Sequence, residues 1–237
     1  MTRKVMIGTP CYSGQLDVWY TNSLIRSFKL ITELKLDIEI LPIWISFDAL
    51  LQRARNDTVS LALEMNCDDL VFIDSDIEWE PEHLFALLNY EQDVVGGTYP
   101  KKSPIEEYVV RQLEQKPIDP NTGLLEVDGL GTGFVKLSKR ALTYLWNNSE
   151  QYIDPKDGKE RRMIFDVVIK NHYLHSEDIH MFDKLKEGGF SVWLDLNITC
   201  SHSGPKKFTG DFKSWYEKLY NNSNIFTNHP IKIKKQL

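Results

Sequence analysis

Two aspartates, Asp74 and Asp76, stand one residue apart directly after the apolar run Leu70-Val71-Phe72-Ile73. The run predicts a buried strand, and residues i and i+2 of an extended backbone point to the same side, so the two carboxylates would converge just past the strand's end. Two carboxylates this close repel each other unless they share a proton or bind a hard divalent cation, which keeps positions open for water or phosphate oxygens. In open α/β sheets, ligands bind outside the carboxyl ends of strands.

The same triplet has a simpler interpretation. An Asp-x-Asp occurs about once by chance in a chain of this length. The neighbouring acidic residues also suit a helix start, because Glu78, Glu80 and Glu82 surround Pro81 before an apolar helical pattern, where carboxylates complement the helix dipole. The spacing alone therefore does not decide between metal binding and helix capping.

Composition indicates a globular protein. The chain has 237 residues, 42% of them hydrophobic and 11% aromatic, which is ample for a packed core. No apolar stretch approaches the ~20 residues of a membrane span, and residues 1–9 lack the apolar core of a secretory signal, so we expect a soluble cytoplasmic protein, or one in the host cytoplasm if the chain is viral. The cysteines form no paired motif, so we expect free thiols at Cys11, Cys67 and Cys200.

The net charge of −6 argues against a broad nucleic-acid surface, which needs enough Lys and Arg to neutralise several phosphates. The sequence does not indicate an oligomeric state. Positive charge is clustered, and we expect every cluster except Lys206 and Lys207 to be solvated surface. These other clusters are Arg53 and Arg55, Lys101 and Lys102, and Lys232, Lys234 and Lys235.

Strand and helix patterns alternate through the first half of the chain, which predicts an α/β fold with a mostly parallel central sheet flanked by helices. The predicted strands are Val5–Ile7, Ile38–Ile45, Leu70–Ile73 and Asp93–Val95, the last stopped by Gly96-Gly97, and the predicted helices are Val18–Leu34, Asp48–Met65 and a helix after Pro81.

The second half is less regular, and no linker or repeat divides the chain, so we predict a single domain. We expect a strand at Gly133–Leu137, a helix at Ser138–Trp146, a polar and mobile loop at Asn147–Arg162, a helix from Ser176 to Gly188, a strand at Phe190–Leu194, and a packing stripe of Trp215, Tyr216 and Tyr220.

The order of motifs along the chain resembles that of GT-A-fold glycosyltransferases. The acceptor half of those enzymes is similar to the runs Ser176–Phe182, Gly188–Trp193 and His202-Ser203-Gly204, and their donor half is similar to Arg55-Asn56 followed by Asp74-Ser75-Asp76. The resemblance covers roughly residues 5–207 and is greatest to the inverting glycosyltransferase family 2 and to short single-domain enzymes of bacteria, phages and large DNA viruses.

The resemblance implies a single GT-A, Rossmann-like domain. Residues 1–100 would form the donor half, residues 101–205 the acceptor half, and residues 206–237 a closing loop and tail. The implied donor is a UDP- or GDP-linked sugar, with Mn²⁺ or Mg²⁺ bridging its diphosphate to Asp76 and, directly or through water, Asp74, and with His202 as a third ligand. A divalent cation acts there as a Lewis acid and stabilises the departing nucleoside diphosphate.

The acceptor implied by the resemblance is a hydroxyl of a glycan, free or linked to lipid or protein. Inversion requires a base to take the hydroxyl proton, and Asp178 matches the family's base position. Glu177 would orient the acceptor or support the loop, although helix capping explains either carboxylate equally well. A retaining enzyme would need no base on that face, so Asp178 would then only orient the substrate.

Other residues match positions that contact the donor. The first strand ends near the nucleobase and ribose, where Tyr12 could stack on the base, although a proline turn with a surface aromatic explains the segment as well. Glycines there would admit backbone close to the sugar, or would form ordinary turns. The predicted donor contacts are Thr9, Pro10, Tyr12, Arg53, Asn56, Asp74, Ser75, Gly131, Gly133, Lys206 and Lys207.

Three other functions use similar residues. A sugar nucleotidyltransferase shares an acidic metal site, but it expects a Gly-rich basic loop after the first strand, which Gly8–Tyr12 is not. A glycoside hydrolase uses two carboxylates without a metal or a phosphate-facing lysine pair. A non-catalytic nucleotide-sugar-binding protein would bind the donor without turnover. The histidines His172, His175 and His180 lack the accompanying ligands of a zinc site.

Overall fold

The structure is a computed structural model that describes residues 2–111 and 118–220. The predicted tail beyond Tyr220, with its terminal lysines, lies outside the described residues. The helices are α1 (Val18–Leu34), α2 (Leu51–Glu64), α3 (Pro81–Asn89), α4 (Lys139–Asn147), α5 (Glu177–Glu187) and α6 (Phe212–Tyr220). The strands are β1 (Arg3–Cys11), β2 (Ile38–Ser46), β3 (Asp69–Ile73), β4 (Ile77–Glu78), β5 (Val94–Thr98), β6 (Val110–Arg111), β7 (Leu124–Val127), β8 (Gly129–Leu130), β9 (Phe134–Ser138), β10 (Gln151–Ile153), β11 (Glu160–Arg162), β12 (Val168–Lys170), β13 (Tyr173–His175), β14 (Val192–Thr199) and β15 (Ser201–His202).

A seven-stranded sheet in the order β2-β1-β3-β9-β5-β14-β7 forms the centre of the protein. Strands β2, β1, β3, β5 and β14 run in one direction, whereas β9 and β7 run in the other. Strand β9 lies between β3 and β5 and pairs antiparallel with both. This mostly parallel sheet, flanked by helices, confirms the α/β fold class predicted from the alternating strand and helix patterns.

Alternating side chains of the strands cover the two faces of the sheet with separate apolar clusters. Val5 and Ile7 of β1 belong to a cluster with residues of α1 and α3. Met6, between them, belongs to a second cluster with residues of α2, α4, α5 and α6. The central strands are buried on both faces, as expected for parallel strands covered by helices.

Helix boundaries follow local chemistry. The Asp17 side chain caps α1 by accepting a hydrogen bond from the Trp19 N–H at 2.8 Å, and Ser138 caps α4 in the same way. Pro81 takes the first turn of α3, where its missing N–H costs nothing. Gly189, with φ of 79°, follows the end of α5.

Two local predictions were wrong. Strand β5 does not stop at Gly96 and Gly97 but continues to Thr98. The glycines have a packing reason instead, since a Cβ on Gly97 would lie 2.2 Å from Ile198 Cγ2. The segment predicted as a polar loop contains the antiparallel hairpin β10–β11, which Arg161 ties to Asp57 of α2 by an ion pair of 2.8 Å.

The three cysteines are free thiols, as predicted, and the structure places all three in the interior. In the described part of the chain, no helix is long and apolar enough to cross a membrane.

Candidate functional site

A cleft of about 330 Å³ opens at the carboxyl edge of the sheet. Segments that follow strands β1, β2 and β3 form it, together with α2 and β15, so it lies where open α/β sheets bind ligands. Its lining residues are Pro10, Cys11, Tyr12, Asp48, Ala49, Leu51, Ala54, Arg55, Asp74, Ser75, Asp76 and His202. The three residues predicted to bind metal therefore line one cleft.

The backbone of residues 74–76 is held from four directions. The Asp74 N–H donates to the Gly133 carbonyl at 3.2 Å, and the Asp74 carbonyl accepts from Ile77 at 3.1 Å. The Ser75 carbonyl accepts from the Asp17 N–H at the start of α1, and the Asp76 carbonyl accepts from the Ser203 N–H at 2.8 Å. The aspartates are therefore fixed before any ligand binds, which is what an electrostatic site requires.

Two basic side chains lie beside the same carboxylate oxygen of Asp76. Lys102 Nζ lies 2.5 Å from Asp76 Oδ2, and His202 Nε2 lies 3.5 Å from it. Burial raises the pKa of the Asp76 carboxyl, but hydrogen bonds from His202 and Lys102 outweigh it and hold the pKa below its ordinary value. Asp76 is therefore an anion at neutral pH.

His202 is placed by a short antiparallel ladder. Strand β15 pairs with β4, which sets His202 opposite Ile77, directly after the aspartates. His202 Nδ1 lies 3.0 Å from the Pro100 carbonyl oxygen. Because a carbonyl only accepts, Nδ1 donates this hydrogen bond, which orients the ring so that Nε2 faces Asp76. The Tyr99 ring packs edge-on against the imidazole at 5.1 Å and fixes its plane.

Arg55 connects the aspartates to α5. Its guanidinium is buried, with Nη1 2.5 Å from Glu177 Oε1 and Nη2 3.3 Å from Asp74 Oδ1. Burial disfavours the charged form, but the carboxylates of Asp74, Glu177 and Asp178 raise the pKa of Arg55 above its ordinary value. The arginine therefore stays charged and offsets the carboxylates around it.

Asp178 lies in the first turn of α5. Its Oδ1 accepts hydrogen bonds from the Ser176 hydroxyl and from the Ile179 N–H, the latter at 2.8 Å. Within residues 2–111 and 118–220, Oδ2 has no hydrogen-bond partner. The carboxylate thus contributes to the helix start with one oxygen and keeps the other free, and neither Asp178 nor Glu177 lines the cleft itself.

Several predicted donor contacts are occupied by the protein itself. Thr9 is buried, and its hydroxyl bonds to Tyr20 at 2.7 Å. Asn56 Oδ1 accepts from the N–H groups of Ile164 and Phe165 at 3.1 and 2.9 Å. Arg53 makes a bidentate ion pair with Asp48 at 2.8 and 2.7 Å. The structure therefore does not bring the side chains of Thr9 and Asn56 to the cleft.

Among the remaining predicted contacts, Pro10, Tyr12 and Ser75 line the cleft, whereas Lys206 and Lys207 do not. Tyr12 lines the cleft and is 70% exposed, so one ring face is available. Lys207 pairs with Glu78 and lies 4.4 Å above the Trp19 ring, whereas Lys206 lies 5.0 Å above Phe208.

The glycines Gly131 and Gly133 pack against the Tyr99 side chain, where a Cβ would lie 2.3 and 2.6 Å from its hydroxyl oxygen.

Sequence reasoning missed Lys102 and Tyr99. Lys102 is exposed, as expected for solvated surface, but its partner Asp76 was not predicted. Burial, and then the charge of Asp74, raise the pKa of Tyr99 well above its ordinary value, so its hydroxyl stays neutral and accepts from the Gly133 N–H at 3.1 Å.

In the part of the chain that the structure describes, no group of three or more His, Cys, Asp or Glu side chains is arranged to hold a metal ion. Asp74 turns toward Arg55, which leaves Asp76 and His202 as a pair. A carboxylate oxygen and an imidazole nitrogen 3.5 Å apart fit two positions of a divalent cation that takes its other ligands from substrate or water.

Fold and cleft together define an α/β protein with a cleft at the carboxyl edge of a mostly parallel sheet. No protein-family model matches the sequence, and no curated protein matches it. The structure of A197 from STIV aligns with a TM-score of 0.55 and 19% identity over 98% of each chain. This likeness is one of fold alone.

Two further solved structures align with lower scores. TarS 1–349 from S. aureus, in complex with UDP-GlcNAc, gives a TM-score of 0.39 and 12% identity over 90% of this chain and 60% of TarS. The inositol-1-phosphate CTP transferase from T. maritima gives 0.38 and 9% over 96% of this chain and 98% of the transferase. These scores are too low to carry an argument about function.

Proposed function

We propose that this chain is a metal-dependent glycosyltransferase that moves a sugar from a UDP- or GDP-linked donor to an acceptor hydroxyl, with inversion. The observation that carries the proposal is the convergence of Asp76 and His202 in a cleft at the carboxyl edge of the sheet. An α/β edge with a fixed anion and an imidazole nitrogen beside it suits a cation and a diphosphate.

Asp76 and His202 would hold the metal, and the imidazole ligand favours Mn²⁺ over Mg²⁺, which prefers oxygen ligands. When bound, the cation supplies Lewis-acid stabilisation of the leaving diphosphate. The exposed ring of Tyr12 would stack on the nucleobase. Lys206 and Lys207 would add positive charge beside the phosphates if Lys207 leaves Glu78.

Asp178 would act as the base. Its Oδ1 is held by Ser176 and Ile179, which orients the carboxylate, so Oδ2 is the oxygen that would take the acceptor proton. Glu177 is bound to Arg55 and would position that arginine and the start of α5 rather than accept a proton. Asp74 would act through the same arginine.

Paired substitutions test these roles. In Asp76→Asn, we expect Mn²⁺-dependent binding of nucleotide sugars to disappear, measured as the shift in melting temperature with and without Mn²⁺. In Asp178→Asn, we expect donor binding within about twofold of wild type and a loss of transfer of about 100-fold or more, because general-base catalysis contributes on that order. Glu82→Gln, an exposed carboxylate on α3, is the control.

The product distinguishes the alternatives. Release of nucleoside diphosphate supports sugar transfer, whereas release of pyrophosphate would identify a nucleotidyltransferase. Donor binding without turnover over a glycan acceptor panel would identify a binding protein. Unchanged transfer in Asp178→Asn would remove Asp178 as the base, and a product with the donor's anomeric configuration would then identify a retaining enzyme.

A further inference from the structure

Lys102 places a cation on the oxygen that a metal at Asp76 and His202 would use. Its ammonium lies 2.5 Å from Asp76 Oδ2, and His202 Nε2 faces the same oxygen at 3.5 Å. A divalent cation between the carboxylate and the imidazole would meet the ammonium at close range. Two cations cannot share one carboxylate oxygen without strong repulsion.

The chain around Lys102 holds the lysine in this place. The Pro100 carbonyl, two residues earlier, accepts the hydrogen bond from His202 Nδ1, so the segment that carries the lysine is tied directly to the histidine. The Lys101 N–H donates to the Glu107 carbonyl at 2.7 Å, which closes the loop that carries Lys102. Gly204 faces the lysine stem, and a Cβ there would lie 3.2 Å from Lys102 Cδ.

An ordinary surface ion pair would not place its ammonium on a carboxylate that lines a cleft and contacts an imidazole. Lys101, the neighbouring residue, makes such a pair with Glu107 at 3.1 Å, and both side chains are about half exposed. Lys102 instead lies against a carboxylate that lines the cleft and that already contacts an imidazole. The two adjacent lysines therefore provide a comparison within one loop.

We propose that Lys102 is a built-in competitor for the metal: its ammonium neutralises Asp76 while the cleft holds no donor, and a divalent cation binds only by displacing it. This inference rests on the metal site of the proposed function. The inference assigns Lys102 a part in setting the affinity for the metal, which a surface lysine without a partner in the cleft would not have.

The test is a Mn²⁺ titration without nucleotide, in which the room-temperature electron paramagnetic resonance signal reports free Mn²⁺. We expect Lys102→Met to bind Mn²⁺ at least about fivefold more tightly than wild type, the factor that corresponds to losing one partly exposed ion pair. Lys102→Arg keeps the cation and should bind like wild type. Lys101→Met removes the same charge from the same loop and should also bind like wild type.

Three outcomes would overturn the inference. These are equal Mn²⁺ affinity in Lys102→Met and wild type, no detectable Mn²⁺ binding in Lys102→Met, and equal tightening in Lys101→Met, which would indicate a general charge effect. Adding Asp76→Asn to Lys102→Met should abolish the gain. Tighter Mn²⁺ binding in Lys102→Met, without any binding of nucleotide sugars, would support the role of Lys102 and reject the proposed function. Sugar transfer together with unchanged Mn²⁺ affinity in Lys102→Met would support the proposed function and reject the role of Lys102.

Discussion

Lys136 shows how strongly one residue's position affects its protonation. It lies on β9, 1% exposed, and its ammonium donates to the Tyr90 carbonyl at 2.7 Å. Burial lowers the pKa of Lys136 to about 8, and the nearby Asp69 offsets only part of the effect. Between this value and the 10.5 of an unperturbed lysine, the unfolded chain binds the proton more strongly than the folded chain does.

The contribution of Lys136 to the free energy of unfolding should therefore rise with pH over that window. We expect the difference in unfolding free energy between wild type and Lys136→Met to move in favour of wild type by about 2–3 kcal/mol from pH 7 to pH 10, since one pKa unit corresponds to about 1.4 kcal/mol. Urea denaturation at a series of pH values measures it. Lys139→Met, an exposed lysine on α4, is the control, and a difference that does not change with pH would contradict the prediction.

At this scale the sequence predicted residue types better than partners. The cleft contains Asp74 and Asp76, which the strand pattern places at a strand end, and His202, which the resemblance to GT-A enzymes indicated. The partner of Asp76 could not be predicted, since Lys102 reaches it across 26 residues of chain through a loop without a regular pattern. Asn56 fits a polar helix face in the sequence, yet it bonds to the backbone of Ile164 and Phe165, more than 100 positions away.

Among the elements, the turn before β9 packs against Tyr99, the residue that directly follows β5. The Gly133 N–H donates to the tyrosine hydroxyl, and a Cβ on Gly133 would lie within 2.6–2.8 Å of three Tyr99 atoms. Tyr99 in turn packs on His202. One side chain therefore contacts both the start of β9 and the imidazole ring.

We expect Gly133→Ala to lower the free energy of unfolding by about 1–3 kcal/mol, the usual cost of overpacking. In the double variant Gly133→Ala/Tyr99→Ala, the loss of unfolding free energy should be smaller than the sum of the two single losses, because the added methyl group then meets space instead of a ring. Thermal and urea denaturation of the four proteins gives the coupling. Strictly additive costs would show that Tyr99 is not what excludes a side chain at residue 133.

Patterning predicted most helices and strands but not how the strands pair. The predicted helix from Val18 to Leu34 agrees with α1, because an amphipathic pattern and an Asp17 cap are local signals. The direction of β9 is not local, since the chain between β5 and β9 decides it. Glycines usually end strands, but Gly97 lies within β5. A glycine is needed there because Ile198 of the adjacent strand occupies the space that a side chain of residue 97 would take.

For the whole molecule, the antiparallel β9 joins the two predicted halves. Residues 1–100 contain β3 and β5, yet in the sheet these strands are separated by β9, which belongs to the second half. Among the residues that the structure describes, β5 pairs with β9 and β14 and with no other strand. The donor half alone would thus leave β5 without a neighbour and β3 with one open side.

A fragment of residues 1–100 should therefore show no cooperative thermal unfolding, although it carries the predicted donor-binding residues of β1, α2 and β3. Far-ultraviolet circular dichroism and dye binding to exposed apolar surface, compared with the full chain, measure this. A cooperative transition in the fragment would contradict the prediction and would establish the donor half as an independent folding unit.

The contact between Lys207 and Trp19 makes the loop before Phe208 visible by fluorescence. The ammonium lies 4.4 Å from the centre of the indole ring, and a charge at that distance shifts the ring's emission. Trp19 is one of six tryptophans, so its signal is obtained by subtracting the spectrum of Trp19→Phe from that of wild type. Movement of this loop can then be followed without a label, in real time and in solution, with any compound added to the sample.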